Sequence, residues 1–360
     1  MSTQRLTNLQ KNLAANKIDA LLVSSAVNIR YLTGFTSLSN TEREAFLFVT
    51  PTSATFFTNP LYFEAVKKMM PPKIKVVMKP VSEAINQIIS AKGGSASSRK
   101  SIGFEENLTF AEYKRLSKNI NAKLVLTEDL VESLREIKDE EEIKALRHAA
   151  KVTDDTFEFI KPLIKIGVTE EQIAYEMEMY MKKYSCSLAF DTIVAFGANS
   201  SVPHHKTSDK RLTNKDELVL LDFGAKFNGY CADMTRTILT KNAKDKSKKI
   251  YQTVLDSQIE AIKYINFSKG KVSGKKAYKA ASDYIVKNGF KEIPHGLGHG
   301  MGLEVHEFPH LSGKTDDELL PGMVFSIEPG IYIPGFGGVR IEDDFLLTEK
   351  GLEPLTTSLK

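Results

Sequence analysis

Cysteine is scarce: Cys186 and Cys231 stand in unrelated segments of a 360-residue chain, with no C-x-x-C spacing. A disulfide framework is therefore not what organises the fold. Long apolar runs are also missing. Leu6, Leu9 and Leu13 recur at helical spacing behind a polar start, which describes neither a signal peptide nor a membrane span and makes the cytoplasm the expected compartment. Nor does one sign of charge dominate, since 49 basic residues face 45 acidic ones for a formal net charge of +4. The one block of like charge is 139–142, and no Lys/Arg stripe with interleaved aromatics occurs, so a nucleic-acid surface is not expected. Lys241, Lys244, Lys246, Lys248 and Lys249 read as a solvated loop and helix start.

What remains is an ordinary globular composition, 42% hydrophobic and 26% charged, long enough for about two domains with cores of their own. Residues 1–130 alternate helix and strand. Helices are expected at 5–16, 61–70 and 81–91, and strands at 20–24, 46–50, 55–58, 75–78, 101–104 and 123–126, with a Gly/Ser-rich loop at 93–98. A long charged helix over 134–150 opens a second unit, 131–360. That unit carries an internal echo. A helix, the phrase Ile166-Gly167-Val168-Thr169-Glu170 and a helix over 173–184 lead to a hairpin. Later a helix over 250–265, Gly270-Lys271-Val272-Ser273 and a helix over 277–287 again lead to strands. A duplicated α-α-β-β half explains both stretches and offers a cleft between the halves.

The sharpest local inference concerns residues 218–239, where Asn228-Gly229 between apolar runs signals a two-residue hairpin turn. Counting outward from it puts Phe227 opposite Tyr230, Gly224 opposite Asp233 and Asp222 opposite Thr235. Asp222 and Asp233 then share a sheet face as diagonal neighbours, roughly 7 to 8 Å apart. Two carboxylates amid apolar strands are costly to bury without a counter-charge, and a shared cation resolves that cost. The alternative is that one Asp ends a strand and the other caps a turn.

Three of the chain's seven histidines, His295, His299 and His306, fall in one glycine-rich segment at 295–306. Its spacing is not G-x-G-x-x-G and no phosphate-loop Lys-Ser/Thr follows, which argues against a nucleotide loop. Glu328 and Glu342 each end or interrupt an apolar run, with a Pro/Gly-rich reversal at 329–338 between them. Taken singly, either glutamate is better read as an ordinary exposed strand end, Glu342 being paired with Arg340 or a lysine.

Together, the phrases LLDFGA, ADMTRT, HGLGHGMGLEVHE, SIEPG and VRIED resemble the proline-specific branch of the methionine aminopeptidase and creatinase superfamily, the pita-bread metallopeptidases of family M24. The 28–35 phrase NIRYLTGF is similar to the creatinase-type N-terminal domain, and FDTIVAFGANSSVPHH to the family's approach to its active site. The resemblance spans essentially the whole chain. It implies an α+β protein: a creatinase-like α/β domain over 1–130 and a pita-bread catalytic domain over 131–360 with duplicated halves.

It further implies that Asp222, Asp233, His299, Glu328 and Glu342 hold two divalent metal ions. Mn²⁺, Co²⁺, Fe²⁺ and Zn²⁺ all suit four carboxylates and one imidazole, and the oxygen-rich set favours Mn²⁺. By the same resemblance Glu328 handles the proton of the attacking water, His204 donates to the developing oxyanion and His306 orients substrate. Phe190, His295, Val305 and Arg340 complete the expected substrate contacts. His205 is a local rival for the role of His204, and Pro203 together with the resemblance favours His204.

The expected activity is hydrolysis of Xaa-Pro bonds, with a dipeptidase favoured by the short N-terminal domain. Aminopeptidase P or a broader aminopeptidase of the same fold is the alternative. A non-catalytic peptide-binding module is the alternative of another class, and retention of all five ligand positions argues against it. A homodimer is expected from the resemblance, with a small peptide as substrate.

Overall fold

The computed structural model describes residues 2–39, 42–91, 100–268 and 270–360; the 93–98 loop lies outside the described residues. The chain divides into two compact units, Met1–Arg135 and Glu136–Lys360. No helix among the described residues is long and apolar enough to cross a membrane.

The first unit is a six-stranded mixed sheet in the order Ile74–Val77, Ser53–Thr58, Ala45–Thr50, Ala20–Val23, Ser101–Glu105, Lys123–Thr127. The two pairings made by Ala45–Thr50 are antiparallel and the other three are parallel. Ala20–Val23 is buried at every position, as a strand in the middle of a helix-covered sheet must be. On one face Leu22, Phe46, Phe48, Phe57 and Ile102 pack with Ile85, Leu116 and Ile120. Leu9 and Leu13 of the helix Ser2–Ala15 are fully buried, contributing on the order of 1.5–3 kcal/mol each.

The strands fall where the apolar runs put them, but two helices were not legible from periodicity. Ala26–Thr33 starts under a side-chain cap from Ser25 and stops at Gly34, whose φ of 79° suits glycine. Phe110–Asn119 starts with a Thr109/Glu112 capping box. The first of them places Asn28 at the centre of a buried polar network. Its amide donates to Glu105 at 2.7 Å and to Glu132 at 2.5 Å, and its carbonyl accepts from Arg135 at 2.8 Å. Within this unit, the NIRYLTGF phrase therefore includes the hub of a polar core.

In the second unit the long helix runs Glu140–Ile160, later at both ends than expected. Asp139 accepts from Glu141 N and Glu142 N, and Glu142 answers with a bond to Asp139 N. The acidic block is thus a helix start, with its charge at the positive end of the helix dipole. The remaining α-helices of this unit are Glu170–Lys183, Asp245–Phe267 and Gly274–Lys287.

Two cores follow, one per half. The helices Glu140–Ile160 and Glu170–Lys183 bury Phe157, Ile173 and Met177 with Val194, Leu221 and Phe223 of the three-stranded sheet Met234–Leu239, Leu218–Phe223, Ile193–Phe196. The later helix pair buries Val254, Ile265 and Ile285 with Phe325, Ile327 and Phe345, whose strands Val324–Ile327 and Asp343–Thr348 lie in a five-stranded sheet. Each half is a helix pair laid on a sheet, as the duplication read from sequence requires.

Candidate metal centre

The hairpin closes at Asn228 and Gly229, with φ of 46° and 78°, the two positive values that a primed turn demands. Phe227 faces Tyr230 and Lys226 faces Cys231. Beyond a switch between two small sheets, Asp222 faces Thr235, as counted from the turn. Asp222 and Asp233 line one cavity.

His299 arrives on the strand Gly298–Gly300, which pairs with Glu307–Leu311 on one side and Val324–Ile327 on the other. A Cβ on Gly298 would lie 2.0 Å from Ser326 O, and one on Gly300 2.0 Å from Phe308 O. Only glycine lets the strands close around the imidazole. Glu328 follows Val324–Ile327 and is fixed by its N–H to Leu297 O at 2.7 Å. Glu342 follows Gly337–Arg340, and its N–H reaches Thr235 O at 3.1 Å. That bond joins the two halves at the site.

One ligand atom each from Asp233, His299 and Glu342 lie within 4.8 Å of one another. His299 Nε2 is 3.7 Å from Asp233 Oδ2 and 3.4 Å from Glu328 Oε1. Asp222 is turned to Arg340, which gives it an ion pair. The same guanidinium donates to Tyr332 Oη at 2.8 Å and to Thr235 Oγ1 at 3.0 Å, while Thr235 Oγ1 donates to Glu342 at 2.6 Å. Tyr332 Oη in turn meets His295 Nε2 at 2.9 Å. Two acids, Asp222 and Glu342, and one histidine, His295, are thereby connected through one buried arginine.

The electrostatics of the cluster are strained. Burial first, then the neighbouring carboxylates, pushes Asp233 and Glu342 well above the usual carboxylate range. Burial pushes Glu328 up to about 7, against the pull of Arg340 and with help from Asp222. Burial takes His299 down to about 3 and His295 down to about 4. Asp233 Oδ1 and Glu342 Oε1 are buried and find no hydrogen-bond partner among the described residues. Orphaned acceptor oxygens converging with a neutral imidazole fit a divalent cation, which satisfies the lone pairs and reverses the local field.

The cavity measures about 1090 Å³ and is lined by all five acid and histidine candidates together with Phe190, His204, His295, Val305, His306 and Arg340. His306 lies edge-on to His299 with ring centroids 4.3 Å apart. Every candidate site residue named from sequence therefore lines the same cavity. Tyr332 and the connecting role of Thr235 were not anticipated. Tyr332 sits in the Pro/Gly-rich reversal, where only chain direction was being read, and Thr235 appeared only as the partner of Asp222.

The description "Metallopeptidase family M24" matches residues 144–349, and "Creatinase/Prolidase N-terminal domain" matches residues 5–137. The chain belongs to metallopeptidase family M24. Among its M24 relatives is the peptidase YqhT of Bacillus subtilis, 40% identical over 100% of this chain and 99% of its own. An Xaa-Pro dipeptidase of Pyrococcus horikoshii is 36% identical over 95% of this chain and 93% of its own. The solved Xaa-Pro dipeptidase from Bacillus anthracis superposes with a TM-score of 0.91 at 36% identity, covering 100% of this chain and 99% of that one. The M24 fold, a creatinase-type domain followed by a catalytic domain of duplicated halves, accounts for the two units and two cores described above.

Proposed function

We propose that this M24 enzyme is an Xaa-Pro dipeptidase, cutting the bond before proline in small peptides with two divalent ions held by Asp222, Asp233, His299, Glu328 and Glu342. The observation that carries the reading is the convergence of Asp233, His299 and Glu342, with two orphaned oxygens, in the lining of a peptide-sized cavity. Relatives that bear the dipeptidase name, matched over 93% and 99% of their own lengths, support the substrate class. The oxygen-rich donor set favours Mn²⁺. A cytoplasmic homodimer belongs to the same reading.

When bound, the ions supply an acidified water and a polarised scissile carbonyl. The protein's own groups do the rest. Glu328, whose Oε1 lies 3.4 Å from His299 Nε2 in the proposed ligand set, is within reach of the attacking water to take its proton and return it to the leaving nitrogen. Burial first, then His204, keeps His306 below the ordinary histidine value, so it is a neutral hydrogen-bonding imidazole that orients the peptide. His204 donates to the oxyanion as the carbonyl becomes tetrahedral. Phe190 and Val305 give the cavity its apolar wall. Arg340 steadies Asp222 from behind while leaving Glu342 to Thr235.

The test is a substrate panel on enzyme loaded with Mn²⁺, Co²⁺ or Zn²⁺. Ala-Pro and Met-Pro should be cleaved, a longer Xaa-Pro peptide should be cut less well, and peptides with Ala after the cut should be spared. Preference for the longer peptide would make it an aminopeptidase P, and cleavage before Ala a broader aminopeptidase.

A further inference from the structure

The loop that carries His204 into the cavity, residues 197–211, lies between strands and is tied down at several points, among them Gly338 N to Ser200 Oγ at 2.8 Å, Arg340 Nη1 to Pro203 O at 3.4 Å and Thr207 Oγ1 to Thr192 O at 2.9 Å. The densest set of its bonds converges on one buried carboxylate. Glu170, the first residue of the helix Glu170–Lys183, has no solvent exposure. Its Oε1 accepts from Phe196 N and from Asn199 Nδ2, both at 2.8 Å. Its Oε2 accepts from Ser208 Oγ at 2.6 Å, from Ser208 N at 3.1 Å and from His205 Nε2 at 2.9 Å. These donors bracket His204 on both sides, at 199, 205 and 208. The backbone closes the same clamp, since Glu170 N donates to Lys210 O and Glu171 N to Ser208 O, each at 3.1 Å.

A carboxylate at a helix start is ordinarily a solvated partner for the helix dipole. Full burial with five donors aimed at two oxygens is a different arrangement. It saturates the acceptor capacity of an ionised carboxylate and leaves nothing for water. Burial raises the Glu170 carboxyl, and the bonds from Ser208, Phe196 N, His205 and Asn199 outweigh it and hold the group below the usual range. The charge is therefore present at neutral pH. A chain folded only to cover a helix end has no need of it.

We propose that Glu170 is a positioning residue for catalysis, fixing the 197–211 loop so that His204 presents its ring to the substrate carbonyl. The inference rests on the role given to His204 above. Glu170 itself touches no substrate and acts through the loop. Its neighbour His205, which lines the cavity beside His204, is on this account part of the clamp, its Nε2 being engaged by Glu170.

The test is a double-mutant cycle on the metal-loaded enzyme with an Xaa-Pro dipeptide, using Glu170→Gln and His204→Ala, alone and combined. Glu170→Gln keeps the volume and turns two of the accepting positions into donors. It should lower kcat about ten- to a hundred-fold with KM changed by only a few-fold, and metal content and the rise in Tm on adding Mn²⁺ should be retained. In the His204→Ala background the same change should cost little more, because sites acting through one group do not add. Ser208→Ala, a gentler lesion in case Glu170→Gln folds poorly, should lose kcat a few-fold and again only when His204 is present. Wild-type kcat in Glu170→Gln, or losses that multiply in the double variant of a crippled His204→Ala, would overturn the positioning role while leaving the role of His204 standing. A healthy His204→Ala would instead remove the reading on which it rests.

Discussion

Replacing Glu342 by Gln is expected to cut turnover of an Xaa-Pro dipeptide by about a thousand-fold or more, since losing a single transition-state donor already costs about a hundred- to a thousand-fold. The same change should leave the metal-free protein at least as stable as the wild type. Glu342 is 2% exposed, and its carboxyl is pushed well above the usual range by burial and then by Glu328 and Asp222. Removing that charge relieves repulsion in the folded state. Gln can still accept from Thr235 Oγ1, as Glu342 does at 2.6 Å. The wild type should gain stability with added Mn²⁺, about 2.7 kcal/mol at a hundred times the dissociation constant, and the variant should gain much less. Thermal melts with and without Mn²⁺, beside metal content per chain, check this. Normal metal content and normal turnover would take Glu342 out of the ligand set.

His204→Ala and His306→Ala separate using the metal from holding it. Neither side chain belongs to the five proposed ligands, and both line the cavity, His306 directly against His299. Each variant should keep near-normal metal content and lose about a hundred- to a thousand-fold in kcat, about 2.7 to 4 kcal/mol. His205→Ala should lose only a few-fold, through the Glu170 clamp. The measurement is kcat and KM on Ala-Pro with bound metal determined for all three. A crippled His205→Ala beside a healthy His204→Ala would shift the assignment by one residue, and loss of metal from His306→Ala would make it a ligand.

Much of this site was legible because its signals are local. Asn228-Gly229 specifies a primed turn, the turn specifies a register, and the register places Asp222 opposite Thr235. The glycines around His299 announce close backbone approach, and the two contacts at 2.0 Å show what they avoid. What could not be read depends on the chain's long-range return. The ion pair between Asp222 and Arg340 spans 118 positions, and Arg340 reaches Tyr332 across a hairpin whose strands Gly330–Ile333 and Gly337–Arg340 pair only once the Pro/Gly stretch has reversed. Glu170 was visible as a letter in a repeated phrase, yet its partners at 196, 199, 205 and 208 lie beyond a whole helix. The late start of Glu140–Ile160 is a different kind of miss. The acids at 139–142 were counted as helix interior, although Asp139 and Glu142 together form a capping box.

The central claim is that the acids and imidazole lining the cavity hold two divalent ions that the reaction requires. It is tested most directly by titrating Mn²⁺ into exhaustively chelated protein while following proline release from Ala-Pro and binding heat in parallel. Metal-free protein should release no proline, two equivalents should bind per chain, and full activity should come only once the cluster is filled. Undiminished proline release from protein shown by elemental analysis to be metal-free would contradict it.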